Sequence, residues 1–239
     1  MILFVFEGQK EENIFGTLKR LYWGTDTVVV AVYGCNIDAL YHELVELGEE
    51  ADIAALLMER YRGKRNNPFS GVKRSDEFSE IYLIFDYDFH DIKRSAEMMN
   101  EQLSYLLDFF NEETDKGKLY INYPMLEAIV YTKLLPDKDF WKYTVTREEC
   151  RKFKQLTHVF SAYPNYKFIT NDAEAVVLEN WRLLKEQHVA KAEFMCAKKT
   201  PLTQKDILQA QIQKYECLEG CRVAILSAFA LLIFDWLGH

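Results

Sequence analysis

Apolar positions fall into two patterns along this chain. Apolar runs at Ile2–Phe6, Thr27–Tyr33 and Ile81–Phe85 predict strands buried on both faces, and Lys118–Asn122 predicts a fourth strand. Between them apolar residues recur at helical spacing. Ile14, Phe15, Leu18, Leu21 and Tyr22 mark a helix over Asn13–Trp23, and Ile37, Leu40, Tyr41, Leu44 and Leu47 mark one over Ile37–Leu47. Helices are also predicted over Asp52–Tyr61, Ile92–Phe110 and Pro124–Lys133, where Pro124 suits a first-turn position. Arg62–Asp76 holds Gly63, Asn66, Asn67, Pro68 and Gly71 and predicts a loop. Strand and helix alternate through this half, which predicts a parallel four-stranded sheet flanked by helices. Beyond about residue 135 the strand signal fades, and Arg147–Thr157, Asp172–Ala197 and Gln204–Leu237 predict helices. The expected organisation is an α/β domain over 1–135 and a mainly helical region over 136–239, which serves packing, dimer contact or partner docking.

Composition sharpens this picture. With 239 residues, 49% of them hydrophobic, the chain is long enough for a sizeable core, and 5 Pro and 10 Gly leave little material for disordered linkers. A net charge of -8 argues against a general nucleic-acid coat protein but not against a metal-dependent nuclease, which concentrates carboxylates at its metals. The five cysteines are scattered, and the first residues, MILFVFEG, read as a strand and not a secretion signal, so a reduced, cytoplasmic chain is expected. Val223–Leu237 is the most apolar stretch. It is too short for a membrane span and predicts a buried terminal helix, with no membrane contact.

Two of the predicted strands end in acids. The first runs into Glu7-Gly8, the third into Asp86-Tyr87-Asp88. In open parallel sheets ligands bind beyond the carboxyl ends of the strands. Asp86 and Asp88 are two apart, so both can turn toward one ion while Tyr87 points the other way. Gly8 is expected to let the backbone turn tightly into the helix that follows. Hard oxygen ligands with few nearby His or Cys suit Mg²⁺ or Mn²⁺ rather than zinc. Glu11 and Glu12 lie one helical turn beyond Glu7 and are placed to serve a second ion; two ions together would clamp a phosphodiester displacement.

The segments ILFVFEGQKEENIF and IYLIFDYDFHD resemble the two halves of a TOPRIM domain, the fold of topoisomerases, primases and the OLD and RloB-like phage-defence nucleases. In that family one strand ends in Glu-Gly and a later one in Asp-x-Asp, and the OLD-type nucleases add a second Glu, as Glu11 does here. The resemblance covers about residues 1–135. It implies that Glu7 binds metal and takes part in proton transfer, that Asp86 and Asp88 bind metal, and that Glu7, Asp86, Asp88 and Glu11 are catalytic. YINYPMLEAIV resembles the element after the Asp-x-Asp in the defence-type relatives, which makes Glu127 a further metal ligand. No neighbouring domain for strand passage or template handling is expected here, so topoisomerase and primase activities are not expected.

Arg60–Arg74 carries Arg60, Arg62, Lys64, Arg65, Lys73 and Arg74 and no acid. A basic loop just before the Asp-x-Asp strand is suited to hold a phosphate backbone, with Tyr61 and Phe69 available to stack on a base. Arg62, Lys64, Arg65, Lys73 and Arg74 are the expected nucleic-acid contacts. His90 and Lys133 are lesser candidates, the first as a phosphate donor or acid, the second as a transition-state cation. Cys217 and Cys221 have no partner at finger spacing and are expected to be buried small apolar groups. There is no GxxxxGK phosphate loop, so the chain has no ATPase motor of its own.

The expectation is a Mg²⁺-dependent endonuclease acting on DNA or RNA, as a toxic effector in anti-phage defence beside a partner ATPase, with a homodimer possible. The competing expectation is a binding or regulatory subunit that keeps the fold without catalysis. A receiver-like phosphotransfer protein needs a Lys ending its last strand, and none is found.

Overall fold

A computed structural model of the chain describes residues 1–91, 93–163 and 165–238. In chain order its elements begin β1 (Ile2–Phe6), α1 (Gln9–Tyr22), β2 (Val28–Val32), α2 (Ile37–Leu47), α3 (Ile53–Tyr61), β3 (Glu80–Asp86), α4 (Ala96–Phe109), β4 (Asn111–Glu112) and β5 (Gly117–Asn122). There follow β6 (Thr144–Thr146), α5 (Arg147–Cys150), α6 (Phe153–Phe160), α7 (Lys167–Thr170), α8 (Glu174–Cys196), α9 (Gln204–Gln211), β7 (Arg222–Ala224) and α10 (Ala228–Leu237). The chain forms two compact units: Met1–Phe85 with Tyr105–Leu119, and Asp86–Ser104 with Tyr120–His239. They interleave along the sequence.

In the first unit β1 is central. It pairs in parallel with β2, from Ile2↔Val28 to Phe6↔Val32, and with β3, from Ile2↔Glu80 to Phe6↔Ile84. All five of its side chains are buried, which is why its sequence is an unbroken apolar run. Phe4 packs on Phe15 of α1 with ring centroids 4.2 Å apart and meets Trp23 edge-on at 5.1 Å. Side-chain caps start the next two helices: Asn36 accepts from Ala39 N at 3.1 Å and Asp52 from Ala55 N at 2.9 Å. Gly117 opens β5 with φ +123°, and a Cβ there would meet Leu83 Cδ1 at 2.8 Å, so only glycine lets this strand approach β3.

The sheet is mostly parallel, flanked by helices, with strand order β2-β1-β3-β5-β4. It has five strands where four were expected. The extra strand, β4, is two exposed polar residues pairing antiparallel with β5, Asn111↔Lys118 and Glu112↔Gly117, and so carries no apolar signature.

The second unit is mainly helical but contains a second, two-stranded sheet, β6 with β7, antiparallel from Thr144↔Ala224 to Thr146↔Arg222. The single helix expected over Gln204–Leu237 is therefore α9, a π turn at Ile212–Glu216, β7 and α10. Gly220 (φ +78°) and Cys221 (φ 46°) make the break, and a Cβ on Gly220 would meet Thr146 Cγ2 at 2.8 Å. Arg147–Thr157 is likewise two helices, α5 and α6. The helix expected over Pro124–Lys133 is a 3₁₀ turn at Leu126–Val130. Leu126 to Thr132 are buried on every side, so a one-faced helix has no solvent side to present. The helix expected from Ile92 begins at Ala96; Ile92 itself lies outside the described residues. Cys221 is half-buried and Cys217 exposed, contrary to the expected burial, because both lie at the turn into β7 rather than on a packed helix face. All five cysteines are free thiols. No helix among the described residues is long and apolar enough to cross a membrane.

Candidate metal centre

On the first unit, Glu7 stands one residue past β1 with its backbone pinned on both sides. Its N–H donates to Ile84 O at 3.2 Å, and its carbonyl accepts from Gly34 N at 3.0 Å. Gly8 is extended (φ -139°, ψ 175°), a conformation open to any residue, so a tight turn is not what the glycine provides. A Cβ at Gly8 would lie 3.2 Å from Glu11 Oε2; the glycine makes room for that carboxylate. Glu11 sits in the first turn of α1, only 7% exposed, where the helix dipole favours negative charge. Glu12 is half-buried and accepts from Gln9 Nε2.

On the second unit, Asp86 ends β3. Tyr87 N donates to Asn122 O at 3.1 Å, and Asn122 Nδ2 donates to Asp86 Oδ1 at 3.0 Å. Asp88 takes the left-handed conformation (φ 53°), which the strand-to-loop turn requires and Asp tolerates, and its carbonyl accepts from Asp91 N at 3.0 Å. Its side chain is 15% exposed, with His90 Nδ1 3.9 Å away. Tyr87, between Asp86 and Asp88 in the sequence, has partners of its own. It is buried, stacks on Phe89 at 4.9 Å, and its hydroxyl lies between Asn100 Oδ1 and Glu216 Oε1, the latter at 2.8 Å. Burial pushes the Tyr87 phenol well above its ordinary pKa, with the Glu216 charge adding to it.

The loop after Asp88 is clamped by Arg147 of α5. Its Nε donates to Phe89 O at 3.0 Å and its terminal nitrogen to Asp91 O at 2.6 Å and to Arg94 O, while the guanidinium carbon lies 5.2 Å from the Phe89 ring centroid. The sequence pattern does not single out Asn122, Arg147 or Glu216. Of these only Asn122 leaves a trace there, as a polar residue ending an apolar strand. Glu127 is buried in the 3₁₀ turn, 8% exposed. Lys133 Nζ lies 4.8 Å from the Phe160 ring centroid, an aromatic seat for its charge. Among the described residues no three His, Cys, Asp or Glu side chains are already gathered into a metal cage.

The basic segment is less free than its sequence suggests. Arg60 pairs with Glu43, Arg62 with Glu59 at 2.5 Å, and Arg74 with Asp76, so acids outside the segment answer three of its cations. Lys64 Nζ lies 4.8 Å from the Tyr61 ring. Phe69 is buried against Tyr61 and Phe78, so its ring is not available to stack on a base, and the half-buried Tyr61 has its hydroxyl bonded to Val32 N and O. The segment's aromatic content anchors it to the core.

Comparison of the chain with protein-family models, with curated proteins and with solved structures found no match.

Proposed function

We propose that this protein is a Mg²⁺- or Mn²⁺-dependent endonuclease of the TOPRIM type that hydrolyses phosphodiester bonds of DNA or RNA. The observation that carries this reading is the register of β1 on β3. Glu7 follows β1 directly and bonds Ile84, two residues before Asp86, so the Glu-Gly and Asp-x-Asp motifs belong to the carboxyl ends of neighbouring parallel strands. The donor chemistry fits a hard divalent ion. Glu7 and Glu11 on the first unit and Asp86, Asp88 and Glu127 on the second are all carboxylates, and Asn122 turns its NH₂ to Asp86. Such an ion, when bound, polarises the phosphate and favours hydroxide at neutral pH. The chain's own part is orientation. Asp88 is set by its left-handed turn, Asp86 by Asn122, and Glu11 is buried on the first turn of α1 in the space Gly8 leaves. In this reading Glu7 takes the proton of the attacking water, and Arg62, Lys64, Arg65, Lys73 and Arg74 contact the phosphate backbone. The setting we propose is anti-phage defence as a toxic effector beside a partner ATPase, with the helical C-terminal part as the surface for a homodimer or for that partner.

Incubation of the purified protein with DNA and RNA in Mg²⁺ tests the reading. Cleavage is expected, with loss of about 10²-fold or more in rate for Glu7→Ala or Asp86→Ala, as for removal of a group that acts in the transition state. Metal-dependent cleavage that survives both changes would sink the assignment.

A further inference from the structure

The carboxylate of Asp86 is held by a side chain whose own orientation is fixed from behind. Asn122 ends β5 and is completely buried. Its Oδ1 accepts from Ala228 N at 2.8 Å and from Ser227 Oγ at 3.4 Å, at the start of α10. A backbone N–H can only donate, so the oxygen of this amide has to face α10, where the positive end of the helix dipole also favours it. The NH₂ is thereby turned toward Asp86, to which it donates at 3.0 Å. It has no lone pair to offer a cation. Asn122 is thus excluded as a ligand although it ends a strand beside the Asp-x-Asp. The anchor continues inward: Ser227 N donates to His188 Nδ1 of α8 at 3.1 Å, and both residues are fully buried.

We infer that Asn122 is the positioning residue of Asp86, fixing the plane of its carboxylate for a divalent cation, and that the apolar helix α10 is the rigid support on which this depends. The inference rests on the metal reading above. Asparagine is the residue the position needs. Aspartate would keep the shape and still accept from Ala228 and Ser227, but it would set a second carboxyl against Asp86, and the two would repel or compete for one proton where the amide now donates. Alanine would remove the donor and leave Ala228 N–H buried without an acceptor.

Two measurements separate this role from the metal reading. The first uses metal-free protein: a double-mutant cycle of Asn122→Ala and Asp86→Ala, followed by urea denaturation. A loss in the double variant smaller than the sum of the single losses is expected, and additivity overturns the inference. The second is Mn²⁺ titration by calorimetry on wild type, Asn122→Asp and Asn122→Ala, each checked for native circular dichroism. Both variants are expected to bind Mn²⁺ about 10–100-fold more weakly, the range for loss of a partner that orients a metal ligand. Folded variants with wild-type Mn²⁺ affinity overturn the inference, because a purely structural asparagine would change stability alone. Should Asn122→Asp fail to fold, Asn122→Ser, too short to reach Asp86, makes the same comparison. A coupled cycle together with a wild type that binds no Mn²⁺ overturns the metal reading itself and reduces the Asn122–Asp86 bond to a structural one.

Discussion

Asp137 shows how much a single carboxylate can organise. It is buried, and it accepts from Thr132 Oγ1 at 3.2 Å, Lys133 N at 3.0 Å, Tyr143 Oη at 2.9 Å and Asp139 N at 2.9 Å. Burial pushes its pKa up, but these four donors outweigh it and hold the group below its ordinary value of 3.8. A depressed folded pKa means that the carboxylate stabilises the fold above the unfolded value, and that this contribution is lost as pH falls through the folded one. Asp137→Asn, which sets an NH₂ against donors, is expected to cost about 1–3 kcal/mol near pH 7. Urea melts from pH 7 to pH 3 should show the gap to wild type closing below about pH 4. Nothing in the sequence marks Asp137, because its four donors come from a loop whose path is set by tertiary contacts. The candidate acids Glu7 and Asp86 stand out in the sequence because each directly follows an apolar run, where a change of polarity coincides with the end of a strand, and Asp88 stands out through its spacing from Asp86.

The contrast repeats at the scale of elements. β1, β3 and α2 are readable because one environment runs their whole length: buried on both faces for the strands, one apolar face for the helix. The turn at Leu126–Val130 and the strand β7 are not, since uniform burial erases the periodicity that separates helix from strand. In α8 the same difficulty hides a buried cation. Lys191 is 1% exposed, donates to Tyr143 O and lies 4.8 Å from the Phe140 ring centroid. Burial pushes its amine well below the ordinary 10.5. The unfolded chain then binds more protons than the folded one, so stability rises with pH between the folded value and 10.5. Lys191→Met is expected to flatten that rise and to lift the melting temperature at pH 7, by about 2–4 °C per kcal/mol gained, readable by calorimetry. The segment between α3 and β3 supports a further expectation. Reversing Lys64 and Arg65 to Glu should weaken oligonucleotide binding and lower the slope of log affinity against log salt by about 0.7–0.9 for each phosphate no longer neutralised. Fluorescence anisotropy across a salt series measures it; an unchanged slope would remove the segment from the interface.

For the whole molecule, the βα alternation made the mostly parallel sheet and the helical C-terminal part legible, because both follow from local pattern. Strand number, the β6–β7 sheet and the membership of the two units follow from which distant segments pair, and no local pattern carries that information. Gly117 and Gly220 are the partial exceptions, since each marks a place where another chain segment comes too close for a side chain.

The chain passes between its two units at 85/86, 104/105 and 119/120, and the first and last of these passages fall inside β3 and β5. This bears on how the protein can be dissected. No single cut in the gene yields one whole unit free of the other: a fragment ending at residue 119 holds all of the first unit but also carries Asp86–Ser104 without the rest of its own. Asp86 and Asp88 sit on that stranded piece, and Asn122 and the helix that orients it lie beyond the cut. A protein shortened by trimming the helical end would therefore keep both acidic motifs in its sequence while losing the Asn122–Asp86 bond.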